Sequence, residues 1–208
     1  MNTERHPQTN HKKMLRAFIA IKLSEELRGH IGEVQAELKR RAFGLDGLGW
    51  VRPEGIHLTL RFLGDIAEEQ VEALGSLLRD VVAGMIPFVL EARGIGAFPN
   101  PRAPRVIWLG LQGTPESMAS LHRMHAGIED GVAGLGFPRE SRAFTAHLTL
   151  ARVRDRQSGA ALAKVLEANR DRAVGSFTAA SVGLIKSELR PAGAVYTTLV
   201  EVPFGAGV

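Results

Sequence analysis

His57 and Thr59 stand two residues apart in GIHLTLRFLG, residues 55–64, and His147 and Thr149 repeat that spacing in AFTAHLTLARVR, residues 143–154. An imidazole takes up and releases a proton near neutral pH, with an unperturbed pKa of about 6.5. A hydroxyl donates one hydrogen bond and accepts others. In an extended strand, residues i and i+2 share a face and lie roughly 7 Å apart. Each copy therefore offers an imidazole and a hydroxyl on one face. Leu58, Leu60 and Phe62 point the other way in the first copy, and Leu148 and Leu150 in the second, toward a core. If the two copies face each other, two imidazoles and two hydroxyls surround one small anion. Two imidazoles and two hydroxyls around one anion make a site for phosphate chemistry.

One His-x-Thr alone is a weak signal, because a threonine favours strands and a histidine beside it is ordinarily structural. Repetition at matched places points to function, since packing requires the leucines rather than His and Thr. Zinc is the competing use of two histidines. It needs a third ligand, and the neighbouring positions are Thr rather than Asp or Glu. His122 and His125, spaced i, i+3, share a helix face on its solvated side. His6, His11 and His30 read as tail or surface residues. The chain has no cysteine, which excludes disulfides, thiolate nucleophiles and cysteine-based zinc sites. GIGAF, residues 94–98, lacks the glycine pattern of a nucleotide loop, and no Walker lysine follows, so neither ATP nor NAD is indicated.

The elements that must carry these residues are readable from periodicity. Leu15 to Leu23 is apolar and partly β-branched, and predicts a buried strand. Ser24 offers an N-cap, and Leu27, Ile31, Val34 and Leu38 form one helical stripe. Gly44, Gly47 and Gly49 break the chain before the first His-Leu-Thr-Leu strand. A helix is predicted over 67–82, with Val71, Leu74, Leu78 and Val81 apolar, then a glycine-kinked strand in PFVLEARGIGAF. FPNPRAPR, residues 98–105, divides the halves. VIWLGL is a strand. Thr114 and Pro115 start a helix that runs through Met118, Leu121, Met124, Ile128 and Val132 to Gly134. The second His-Leu-Thr-Leu strand follows, then a short helix in GAALAKVLEANR. FTAASVGLIKSEL, a turn at RPAGA and VYTTLVEVPF predict a closing hairpin.

The order of elements thus repeats. The fold class read from it is α+β, two similar lobes from an internal duplication. The sheets are mostly antiparallel, helices lie outside, and a pseudo-twofold axis runs through a central cleft. Residues 1–13 are read as a flexible tail and 14–208 as a single bilobal domain, in sequence halves of about 14–100 and 101–208. Which strands pair, and whether some cross between lobes, is left open.

The chain has 208 residues, and its 26 Lys and Arg against 22 Asp and Glu leave a charge of +4. That excess suits a phosphate-bearing ligand without requiring one. Aromatic residues are only 6%, too few for a surface that stacks many bases, though enough to hold one or two. The first residues lack the apolar stretch of a secretory signal, and no run is long enough to span a membrane. A soluble, cytoplasmic protein with no membrane partner and no obligate protein partner is the expectation.

HLTLRFLG and HLTLARV resemble the paired His-x-Thr-x motifs of the 2H phosphoesterase superfamily. WVRPEGIHLTLRFLGDI, FPNPRAPRVIWLGL and LIKSELRPAGAVYTTL resemble, more narrowly, the bacterial RNA 2′,3′-cyclic phosphodiesterases, historically described as 2′-5′ RNA ligases. The likeness runs from about Arg16 to Phe204. It implies two α+β lobes around a cleft and hydrolysis of a ribose 2′,3′-cyclic phosphate to a 2′-phosphate without metal or other cofactor. It maps His57 to proton donor, His147 to proton acceptor, and Thr59 and Thr149 to phosphate oxygens. It also brings Arg152 near the phosphate. Strict alternation puts Arg152 on the leucine face, so the strand must bulge or end before it. Arg61, on the histidine face by the same alternation, is an alternative phosphate contact. The implied partners are RNA with 2′,3′-cyclic ends or small cyclic nucleotides. The competing functions are ligation by the reverse reaction, and non-catalytic binding of RNA ends.

Overall fold

A computed structural model describes residues 13–42, 44–191 and 193–205, with side chains undescribed over 156–161. The expected tail lies outside the described residues except for Lys13, whose Nζ meets Glu68 at 3.0 Å. His6 and His11 lie outside them as well.

Strand β1, Met14–Lys22, leads to helix α1, Glu25–Arg41. Ser24 caps that helix by accepting from the Leu27 N–H, and the predicted stripe of Leu27, Ile31, Val34 and Leu38 is buried. A short strand, β2, Leu48–Trp50, and a 3₁₀ turn, Pro53–Gly55, follow, neither of them predicted. β3, His57–Ala67, carries the first His-Leu-Thr-Leu and runs on to Ala67. Helix α2, Gln70–Val82, accordingly starts three residues later than the periodicity suggested. β4, Phe88–Phe98, and β5, Val106–Gln112, flank the proline-rich loop. Helix α3, Pro115–Gly134, is capped by Thr114, which accepts from the Ser117 N–H. β6, His147–Val153, carries the second copy and precedes α4, Arg156–Glu167. The stretch read as one closing strand is two, β7, Ala173–Ala179, and β8, Ser181–Arg190, broken at Ala180. β8 pairs with β9, Gly193–Pro203, as the predicted hairpin.

All strand pairings are antiparallel, in the order β7-β4-β5-β6-β3-β1-β8-β9, with β2 added on β6. β6 and β3, the two His-Leu-Thr-Leu strands, are neighbours at the centre, joined by the pair Leu58 and Leu148. The halves of the sheet are not the halves of the sequence. β4 crosses to lie beside β5, while β8 and β9 cross back to lie beside β1.

The predicted leucines do face a core. Leu58, Leu60, Leu148 and Leu150 join Leu27, Ile31, Leu74, Leu78, Leu121 and Ile128 from the helices in one buried cluster. Burying such side chains stabilises the fold by about 1.5–3 kcal/mol each. The opposite face of β1 bears a smaller cluster of Phe18, Ala20 and Ile185, which lies on the histidine side. Gly96 on β4 is fixed by packing, because a Cβ there would come within 2.3 Å of the Trp108 ring.

Candidate active site

Both motifs depart from strict alternation at the same place. On β3, Thr59 pairs with Ala20 and Arg61 with Ile19, so Leu60 has no partner on β1. On β6, Thr149 pairs with Trp108 and Ala151 with Ile107, so Leu150 has no partner on β5. Each is a β-bulge, an extra residue that turns the following side chains over. The second bulge is held from outside. The Leu150 carbonyl accepts from the Val51 N–H at 2.9 Å and from the Nε2 of Gln35 at 3.0 Å. Gln35 is 1% exposed on α1, and its Nε2 also reaches the Val51 carbonyl.

The bulges re-sort the two arginines. Beyond Leu150, Arg152 returns to the face of His147 and Thr149, where it is exposed. Its counterpart in the first copy, five residues after the histidine, is Phe62, 57% exposed and also on the cleft. Arg61 corresponds to Ala151 and turns away from the face that alternation assigned it. It is 6% exposed, with its Nε 3.1 Å from Glu129 on α3 and its Nη1 3.8 Å from Glu140. Its Nη2 donates to the Pro138 carbonyl. The guanidinium borders the larger cavity but is engaged there by one carboxylate of α3 and one of the segment after it, which corrects its placement as an open arginine on the histidine face.

Two cavities, of about 290 Å³ and about 600 Å³, meet at Thr59, Phe62, Thr149 and Arg152. His57 lines the first and His147 the second. The two histidines are held alike. The Nδ1 of His57 lies 2.8 Å from the Gly55 carbonyl, and that of His147 lies 2.7 Å from the Thr145 carbonyl. A carbonyl only accepts, so each Nδ1 carries its proton and Nε2 is the free nitrogen.

Their surroundings differ. The His57 ring stacks on Phe18 at 4.5 Å and meets the edge of Tyr196 at 5.2 Å. Burial among these rings pushes its pKa down to about 4, against the smaller upward effect of the Gly55 hydrogen bond. Among the described residues the one ring His147 meets is Phe98, edge-on at 5.0 Å. The larger cavity also holds His125, which stacks on Phe144 at 4.1 Å and is not purely solvated. Burial pushes its pKa down, opposed by Glu129.

Arg152 has no carboxylate within ion-pair distance among the described residues, and the same is true of Arg16, Arg105 and Arg142 along the cleft. Among the described residues no group of three or more His, Asp or Glu side chains is placed to hold a metal ion. No described helix is long and apolar enough to cross a membrane. Sequence reasoning missed Gln35, Phe18 and Tyr196, which act through contacts between distant segments. It placed Phe62 on the core face with the leucines, and the bulge turns that ring to the cleft instead.

The chain has relatives of known name. It is 37% identical over 185 residues to an RNA 2′,3′-cyclic phosphodiesterase of Methanothermobacter thermautotrophicus, covering 89% of this chain and 96% of the relative. A Thermus thermophilus protein of the same name is 35% identical, with 89% and 88% covered. Among solved structures, TT0787 of Thermus thermophilus superposes with a TM-score of 0.72 at 30% identity, covering 91% of this chain and 98% of that one. Escherichia coli LigT, solved in complex with 3′-AMP, does so with a TM-score of 0.72 at 25% identity, covering 93% and 99%. The model of the LigT-like phosphoesterases matches twice, over residues 21–108 and 113–196, once around each His-Leu-Thr-Leu. The chain belongs to the LigT-like phosphoesterase family.

Proposed function

We propose that this protein hydrolyses the 2′,3′-cyclic phosphate at an RNA end to a 2′-phosphate. The observation that carries this is the matched pair of histidines, each with Nδ1–H on the carbonyl two residues before it and Nε2 free at the cleft. A five-membered cyclic phosphate is strained and yields to water under general acid–base assistance. Neutral His147 takes a proton from water through Nε2. Protonated His57 gives one to the departing 3′ oxygen. Thr59, Thr149 and Arg152 stabilise the charge that gathers on the equatorial oxygens of five-coordinate phosphorus. Small cyclic nucleotides present the same group, and an RNA substrate is in keeping with a cytoplasmic setting. No step in this route calls for a metal.

Burial of His57 disfavours the protonated form that a donor needs. The bound phosphate anion offsets this, since an opposite charge close to the imidazole raises its proton affinity. The same depressed pKa in the empty cleft favours the exchanged assignment, with His57 as acceptor. The test of the reaction is direct: an RNA with a 2′,3′-cyclic end is incubated with the protein and the product end identified. A 2′-phosphate is expected. No turnover, or a 3′-phosphate product, would overturn the proposal.

A further inference from the structure

In-line displacement sets the attacking water and the departing 3′ oxygen on opposite sides of phosphorus. With His57 as donor, the 3′ oxygen lies on the His57 side, and the terminal ribose follows it. The chain 5′ to that ribose must leave past His57, through the smaller cavity. That cavity does not end at His57. On β1, Arg16, Phe18 and Ala20 share a face, and Phe18 is the ring stacked on His57. Arg16 is one strand repeat beyond Phe18, roughly 7 Å further along. It lines the same cavity as His57 and Thr59, is exposed, and has no carboxylate partner among the described residues. An arginine left unpaired beside a phosphate site is suited to a second phosphate, because its planar fork matches phosphate oxygens.

The opposite wall is the tip of the β8–β9 hairpin. Leu189 is 78% exposed and Tyr196 is 37% exposed, and both line the cavity with Ser187 and Ala194. The other charges on this tip are spoken for: Lys186 and Arg190 both pair with Glu188. Among the described residues Arg16 is therefore the cation without a carboxylate partner at this end of the cavity, facing an apolar wall and a hydroxyl.

We propose that Arg16 and the β8–β9 tip form a subsite for the phosphodiester and nucleoside that precede the cyclic end, so that the enzyme selects oligoribonucleotides over cyclic mononucleotides. The inference rests on His57 standing on the leaving-group side.

The experiment compares kcat/KM for a dinucleotide with a 2′,3′-cyclic end and for the matching cyclic mononucleotide. In the wild type the dinucleotide is expected to be favoured tenfold or more, mainly through KM. Arg16→Gln should bring the ratio near one, and Arg16→Lys should restore part of it. Replacing the internal phosphodiester by an uncharged methylphosphonate should remove the wild-type preference, and Arg16→Gln should then add nothing. A ratio unchanged by Arg16→Gln, an equal loss on both substrates, or no wild-type preference would each overturn the subsite. Failure of the wild type to turn over even the mononucleotide would instead sink the hydrolase reading.

Discussion

Leu58 and Leu148, the second residues of the two His-Leu-Thr-Leu stretches, are cross-strand partners of each other. Because the strands are antiparallel, continuing that register by one residue sets His57 across from Thr149 and Thr59 across from His147. Each imidazole therefore faces the other copy's hydroxyl, and both threonines border both cavities. One backbone pairing between two buried leucines thus arranges all four polar groups around a common centre.

Thr59→Val and Thr149→Val keep the branched shape and the strand preference while removing the hydroxyl. Each variant is expected to fold as the wild type by circular dichroism and to turn over roughly 10²-fold more slowly, as for a lost donor to a developing oxyanion. Rates near normal in both would make the hydroxyls structural.

The two histidines are separable by leaving group. On a cyclic RNA end, His57→Ala and His147→Ala should each cost roughly 10²- to 10⁴-fold. A nitrophenyl phosphodiester hardly needs protonation as it departs, so loss of the donor His57 should then cost much less and loss of His147 nearly its full amount. The reverse pattern exchanges the roles, and equal losses on both substrates reduce the histidines to phosphate binding.

His57 should titrate near its depressed value of about 4 in the empty protein and move upward when a nucleoside 2′-phosphate binds, as read by the NMR shifts of its ring. The unfolded chain binds this proton at about pH 6.5. Between pH 6.5 and about 4 it therefore holds a proton that the folded chain refuses, and stability falls as pH drops through this window. The full loss, complete below the folded value, is about 3 kcal/mol. His57→Phe, which keeps a ring against Phe18, should lessen that acid sensitivity in urea titrations. An acid limb identical to the wild type would mean that burial does not hold the imidazole neutral.

Arg61 and Arg152 should part company. Arg61→Met strands a nearly buried Glu129 carboxylate and is expected to cost about 3 kcal/mol. For a chain of this size that corresponds to a fall in Tm of about 6 to 12 °C. Arg152→Met should leave Tm in place and lower kcat/KM roughly 10²-fold. A loss of activity in folded Arg61→Met equal to that of Arg152→Met would return Arg61 to the phosphate.

Gln35→Met retains length and removes the donor that caps the Leu150 carbonyl. The Leu150 carbonyl keeps the Val51 N–H, so a cost of about 1–2 kcal/mol is expected for the two hydrogen bonds lost with the Gln35 amide. KM should also rise, since this bulge is what turns Arg152 into the cleft. Unchanged stability and KM would show that Val51 alone holds the bulge.

The periodic parts of the fold were legible because local rules fixed them. Ser24 and Thr114 begin helices as caps do, and the leucines of both motifs are buried. The site was legible through repetition of His and Thr at matched places. Arg152 was legible only through the resemblance, which required a bulge before it, and the fate of Arg61 was not legible, because alternation holds only while every residue has a cross-strand partner. Leu60 and Leu150 lose theirs, and nothing in a leucine's chemistry marks it as a bulge. The position of Gln35 under Leu150 is likewise a contact across 115 residues. The break at Ala180 and the crossing of β4 and β8 depend on how sheet edges compete for partners.

The crossing has a consequence for how the molecule is made. β1 carries Phe18 against His57, and its outer neighbour is β8. Tyr196, the other ring on His57, comes with β9. During synthesis from the N-terminus, residues 14–67 are therefore exposed long before residues 181–203 exist to pair with them. The half of the sheet built around β5 and β6 has all its strands by residue 179, whereas the half holding the first histidine waits for the last two strands. An interrupted chain would carry both His-Leu-Thr-Leu motifs and no finished cleft, so catalytic competence itself reports that translation has run through the hairpin.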